Sequence, residues 1–94
     1  MQHRVPQPQP GRRLVLLTRP GCQLCEQARR TVAQVAAERA VDWAEVDVQE
    51  AGEDELLDTY GDRLPVLLLD GVEHGYWRIE PARLRAALDG QRIW

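Results

Sequence analysis

A chain of 94 residues is one domain, and at this length folding buries roughly 60–68% of the unfolded chain's surface, enough for one modest core. With 44% apolar residues, a formal net charge of -3 and only Arg among its 12 basic side chains, it is mildly acidic and lacks the basic excess of a nucleic-acid binder. No apolar run approaches the roughly 20 residues of a membrane helix, and the N-terminus lacks the apolar segment of a secretory signal, so a cytoplasmic protein is expected.

Residues 1–13 are rich in Pro and Gln, have no apolar periodicity, and read as a disordered tail; residues 14–94 are then the folded domain. Leu14-Val15-Leu16-Leu17 is a continuous apolar run of strand length, suited to burial on both faces of a sheet, and it stops at Pro20-Gly21. From Cys22 onward Cys25, Ala28, Val32, Val35 and Ala36 recur at helical spacing, with Glu26, Arg29, Arg30 and Glu38 on other faces. This predicts an amphipathic helix of nearly five turns. Residues 41–48 alternate, Ala44, Val46 and Val48 against Glu45 and Asp47, as a half-buried strand does. Strand, helix and strand in this order make a right-handed βαβ unit with parallel strands.

Residues 53–60 form a short helix with acidic residues in its first turn, and Gly61 is expected to end it in a left-handed conformation. Val66-Leu67-Leu68-Leu69 is another buried strand, entered through Pro65. Asp70-Gly71 is a hairpin signal, which predicts an antiparallel strand over about residues 72–77. Glu80-Pro81 opens a final helix with Leu84, Ala87 and Leu88 as its buried stripe, up to Gly90. The result is an α/β domain of order βαβ-α-ββα with a four-stranded mixed sheet.

The chemistry sits between the first strand and the first helix, in Thr18-Arg19-Pro20-Gly21-Cys22-Gln23-Leu24-Cys25, which holds both cysteines of the chain. With Cys22 as the last non-helical residue and Cys25 one turn in, their Cα atoms fall within the roughly 4.4–6.8 Å that a disulfide tolerates. The unpaired N–H groups and positive dipole end of the first turn favour a thiolate at Cys22. In a reducing compartment such a pair is catalytic or metal-binding rather than a structural staple. Structural zinc needs four ligands, and the remaining His3 and His74 are not a pair. The competing readings are therefore a metal or iron–sulfur cluster bridging two subunits and a redox-inert adaptor. His74 reads as a surface residue. Trp43, Trp77 and Trp94 read as packing residues, Trp77 being also placed to line a substrate groove. Pro65, at the first residue of a strand, is acceptable in trans on its residues alone.

The order of elements over residues 14–88 resembles a minimal thioredoxin fold. The turn from Thr18 to Cys25 is similar to the glutaredoxin active-site turn, and Tyr60-Gly61-Asp62-Arg63-Leu64-Pro65-Val66 is similar to the segment before the cis-proline of that fold. Taken with Asp70-Gly71 and the closing helix, the chain resembles the small bacterial glutaredoxin-like proteins. The resemblance implies a thiol–disulfide oxidoreductase in which Cys22 attacks and Cys25 resolves, with a disulfide between them and a cis Leu64-Pro65 bond opposite. The backbone of Leu64 would then offer a short edge to an extended substrate, flanked by Arg19 and Arg63 as candidates for its carboxylates. No bound cofactor is implied. The expected partners are a disulfide-containing protein or a small-molecule thiol as substrate, and glutathione, another thiol reductant or a reductase as electron donor. A monomer is expected. Gln23-Leu24 stands where glutaredoxins carry Pro-Tyr, and the region of Glu73-His74-Gly75 has no Gly-Gly turn, so weak binding of glutathione is expected.

Overall fold

The apolar run of residues 14–17 lies at the centre of the fold: Leu14, Leu16 and Leu17 are fully buried and Val15 nearly so. The computed structural model describes residues 12–49 and 58–90. In chain order they form β1 (Arg12–Thr18), α1 (Gln23–Arg39), β2 (Asp42–Asp47), β3 (Val66–Leu69), β4 (Val72–Tyr76) and α2 (Pro81–Leu88). The strands make one mixed sheet in the order β2-β1-β3-β4. β1 runs parallel to β2 and antiparallel to β3, and β3 runs antiparallel to β4. The α/β fold expected from the sequence is the one observed.

A strand flanked on both sides and covered on both faces must be apolar at successive residues, and β1 meets that demand. Leu14 and Leu16 point to one face, where they meet Ala28, Val32, Val35 and Ala36 of α1 together with Leu67, Ile79 and Leu84. Val15 and Leu17 point to the other, where they meet Val48, Tyr60, Leu64, Val66 and Leu68. The buried positions of α1 are Cys25, Ala28, Val32, Val35 and Ala36, the stripe that the periodicity picked out. Trp43 is partly buried against the same core, as expected of a packing residue.

Several boundaries differ from the sequence expectation. β1 begins at Arg12 rather than Leu14, because the ladder with β2 continues past the apolar run through an irregularity between Arg12 and Leu14. β2 is a residue shorter at each end than residues 41–48. β4 stops at Tyr76, since Trp77 turns into the left-handed region at φ 61 and leaves the ladder. At the β3–β4 hairpin Asp70 and Gly71 both have positive φ, 53 and 85, the backbone of the twisted two-residue turn that Asp-Gly favours. Gly61 is not among the described residues with positive φ; the helical residues 58–60 are closed instead by the N–H of Arg63, which donates to the Tyr60 carbonyl at 2.9 Å. Residues 1–11 of the expected tail, residues 50–57 with most of the span expected to form the short helix, and Trp94 lie outside the described residues.

At the end of β1 that leads into the cysteine turn, the buried Thr18 hydroxyl donates to Glu45 Oε2 at 2.8 Å. Arg29 of α1 grips the same carboxylate with Nε and a terminal nitrogen, both at 2.7 Å. The Arg29 side chain is 43% exposed, so the ion pair alone contributes little. The buried hydroxyl matters more: Glu45→Ala is expected to leave it without its acceptor and cost about 1–3 kcal/mol of unfolding free energy, read from denaturant melts. The Glu45 carboxyl is held below its ordinary value of 4.5, chiefly by the Arg29 hydrogen bonds, with burial opposing and Thr18 assisting. A depressed carboxylate binds its proton less readily in the folded than in the unfolded state, so this contribution is complete above pH 4.5 and is lost as pH falls through the folded value. Wild type and Glu45→Gln should therefore converge in stability on acidification below that point.

Candidate functional site

Cys22 is the N-cap of α1, with φ -113 and ψ 111, and its sulfur accepts the backbone N–H of Cys25 at 3.0 Å. Helices prefer a side-chain acceptor at this place because their first N–H groups have no partner within the helix. Gly21, at φ 69, lets the chain turn from the strand into the cap without a Cβ penalty. Cys22 and Cys25 are joined in a disulfide with Cα atoms 5.1 Å apart. The two sulfurs are unequal in access: Cys25 is 1% exposed within the helix face that packs on the sheet, whereas Cys22 is half-buried at the mouth of the turn. Among the described residues no group of three or more His, Cys, Asp and Glu side chains is placed to hold a metal ion.

A groove runs beside the pair. Its nearer part, about 460 Å³, is walled by Arg19, Leu24, Asp62, Leu64, Trp77 and Arg78. A second part of about 240 Å³ continues from Leu24, Trp77 and Arg78 along α1 to Glu80 and Pro81. The expected cis Leu64-Pro65 bond is present. Leu64 lines the groove together with Leu24 and Arg19, while Pro65 itself is fully buried. The Pro65 carbonyl accepts the N–H of Trp77 at 2.8 Å. Neither the N–H nor the C=O of Leu64 forms a hydrogen bond among the described residues.

The expected substrate residues divide. Arg19 and Leu64 line the groove, and Arg19 makes no ion pair among the described residues. Arg63 does not line it: its guanidinium donates to Glu73 at 3.2 Å and lies 5.6 Å from the centre of the Tyr60 ring, with Nε buried and without an acceptor among the described residues. Its backbone contributes instead, the carbonyl accepting the N–H of Trp77 at 3.3 Å. Trp77 is 52% exposed and walls the groove rather than packing in the core. His74 is half-buried rather than on the surface, in a recess of about 30 Å³ with Arg78 and Arg83, because β4 turns this side chain toward the start of α2. Burial, aided by the charge of Arg83, pushes its pKa below the ordinary value of 6.5. Leu24 and Arg78 carried no signal in the sequence. Their roles come from the approach of residues 77–81 to α1, which spacing along one chain does not reveal.

Residues 13–89 match the family described as glutaredoxin-like domain (DUF836). The uncharacterized protein Rv0508 of Mycobacterium tuberculosis is 45% identical over 74 residues, which are 76% of this chain and 76% of that one. The solved structure of protein XcR50 from X. campestris is 36% identical, with a TM-score of 0.67 over 84% of this chain and 99% of the other. Fasciola hepatica thioredoxin, 24% identical with a TM-score of 0.58 over 87% and 83% of the two chains, is similar in fold. On the family match, the relatives and a thioredoxin-type fold that carries Cys22 and Cys25 at the head of its first helix, the chain belongs to the glutaredoxin-like (DUF836) family.

Proposed function

We propose that this protein is a thiol–disulfide oxidoreductase in which Cys22 is the attacking sulfur and Cys25 the resolving one. The Cys22 thiolate attacks one sulfur of a substrate disulfide, the new S–S bond forms a mixed disulfide, and the first substrate sulfur leaves as a thiolate that takes a proton from water. The Cys25 thiolate then attacks Cys22, the second substrate sulfur leaves in the same way, and two electrons have passed to the substrate while the pair has become a disulfide. An external thiol, glutathione or another, or a reductase returns the two electrons. The observation that carries the reading is the placement of Cys22 as a helix N-cap whose sulfur accepts an N–H bond. That bond and the helix dipole favour negative charge on this sulfur in the attacking and leaving states. The backbone of Leu64 and the side chain of Arg19 have no partners among the described residues; the first offers hydrogen bonds to an extended substrate chain and the second offers charge to a substrate carboxylate.

The asymmetry of the pair supplies the test. In the reduced protein at neutral pH, an alkylating reagent should modify Cys22 well before Cys25, with the positions read by mass mapping. Faster labelling of Cys25 would reverse the two roles.

A further inference from the structure

We infer that Trp77 is a specificity-determining residue, and that the groove it walls selects protein disulfides in which a large apolar side chain lies next to the attacked half-cystine. The inference rests on the oxidoreductase reading above. Trp77 is 52% exposed, yet it is held on several sides. Its indole Nε1–H donates to the Asp62 carbonyl at 3.2 Å, its backbone N–H to the Pro65 carbonyl at 2.8 Å, and the Tyr76 ring meets it edge-on at 5.1 Å between centres. An exposed aromatic ring fixed in this way is a preorganised platform, because its rotamer freedom is already lost before a ligand arrives. It also stands at φ 61, a conformation that a bulky residue adopts only where its surroundings impose it.

The composition of the groove decides what the platform recognises. Arg19 and Arg78 line it, but so do Asp62 and Glu80, so charge gives little net preference. The apolar wall of Leu24, Leu64 and Trp77 is left to discriminate. Leu24, between the two cysteines in the chain, lines both parts of the groove, so a substrate segment bonded to Cys22 would lay the residues flanking its half-cystine against this wall. A compact, hydrophilic disulfide would leave the wall uncovered. A protein segment with a large apolar neighbour would remove it from water, the contact that favours association.

The test uses the reduced full-length protein and two peptide disulfides that differ only in the residue next to the half-cystine, Phe or Ser. Wild type is expected to favour the Phe peptide about tenfold in kcat/KM. Trp77→Gly suits the left-handed backbone and removes the ring, and should bring the ratio to within about twofold of one. Trp77→Phe keeps a ring and should retain most of the preference. Leu24→Gln removes the facing apolar wall without touching the loop that Trp77 holds; it should lower the ratio in the same direction, and it replaces Trp77→Gly as the test should that variant not fold. A wild-type ratio near one, or a ratio unchanged in the Gly and Gln variants, overturns the inference. Release of no thiol from either peptide by wild type overturns the oxidoreductase reading itself, and the inference with it.

Discussion

Cys22→Ser should reduce thiol–disulfide exchange to background, whereas Cys25→Ser should react once and stop. The difference follows from position. Cys22 sits at the mouth of the turn, where a substrate sulfur can reach it, and Cys25 is 1% exposed behind it. A hydroxyl at 22 is far too weakly acidic to replace the thiolate, and the shielded Cys25 cannot take over the attack. With Ser at 25 the first exchange still proceeds, but no internal thiol expels the bound substrate half, so a mixed disulfide on Cys22 accumulates. Non-reducing mass spectrometry after mixing with a peptide disulfide reads both outcomes. Equal residual turnover in the two variants would remove the distinction between attacking and resolving sulfur.

The second large effect is on stability. Leu84 is the one fully buried side chain of α2 and packs with Ile79, Leu16 and Leu67 in the core beneath that helix. Leu84→Ala should cost about 2–5 kcal/mol, the transfer term plus the cavity left behind. That is a large part of the roughly 5–15 kcal/mol typical of whole domains, and it should lower the melting temperature by about 10 °C or more in a domain of this size. The loss should reach the site, because Ile79, Glu80 and Pro81 wall the far part of the groove. Val72 is 68% exposed on β4, so Val72→Ala should stay within about 0.5 kcal/mol of wild type. A similar cost at both positions would show that α2 is not held through Leu84.

How far these features could be read from the chain depends on whether their cause is local. The burial of β1 on both faces, the stripe of α1 and the Asp70-Gly71 turn were legible because side-chain period and turn chemistry act over a few residues. The cysteine site was legible for the same reason: an N-cap, its first turn and a cysteine three residues on are one local unit. Strand ends were less so, since the start of β1 at Arg12 depends on its partner β2, and the end of β4 on how Trp77 is bonded to the loop at Pro65. The groove was the least legible part. Arg63, two residues before Pro65, turns away to Glu73 and Tyr60, while Arg78, distant in sequence, lines the groove together with Leu24. His74 looked solitary in sequence and is half-buried near Arg83 because β4 and the first turn of α2 come together. No helix among the described residues is long and apolar enough to cross a membrane, in keeping with the composition.

The central claim is that the pair exchanges two electrons with a substrate and ends as an internal disulfide. It is tested most directly by mixing the reduced wild-type protein with an excess of a peptide disulfide, quenching with acid, and measuring the protein's mass together with the thiol released. The expected product is a protein lighter by two hydrogens, with Cys22 joined to Cys25, and two peptide thiols per protein oxidised. A protein of unchanged mass with no thiol released, or one that stays in mixed disulfide with the peptide while Cys25 remains a free thiol, would contradict it.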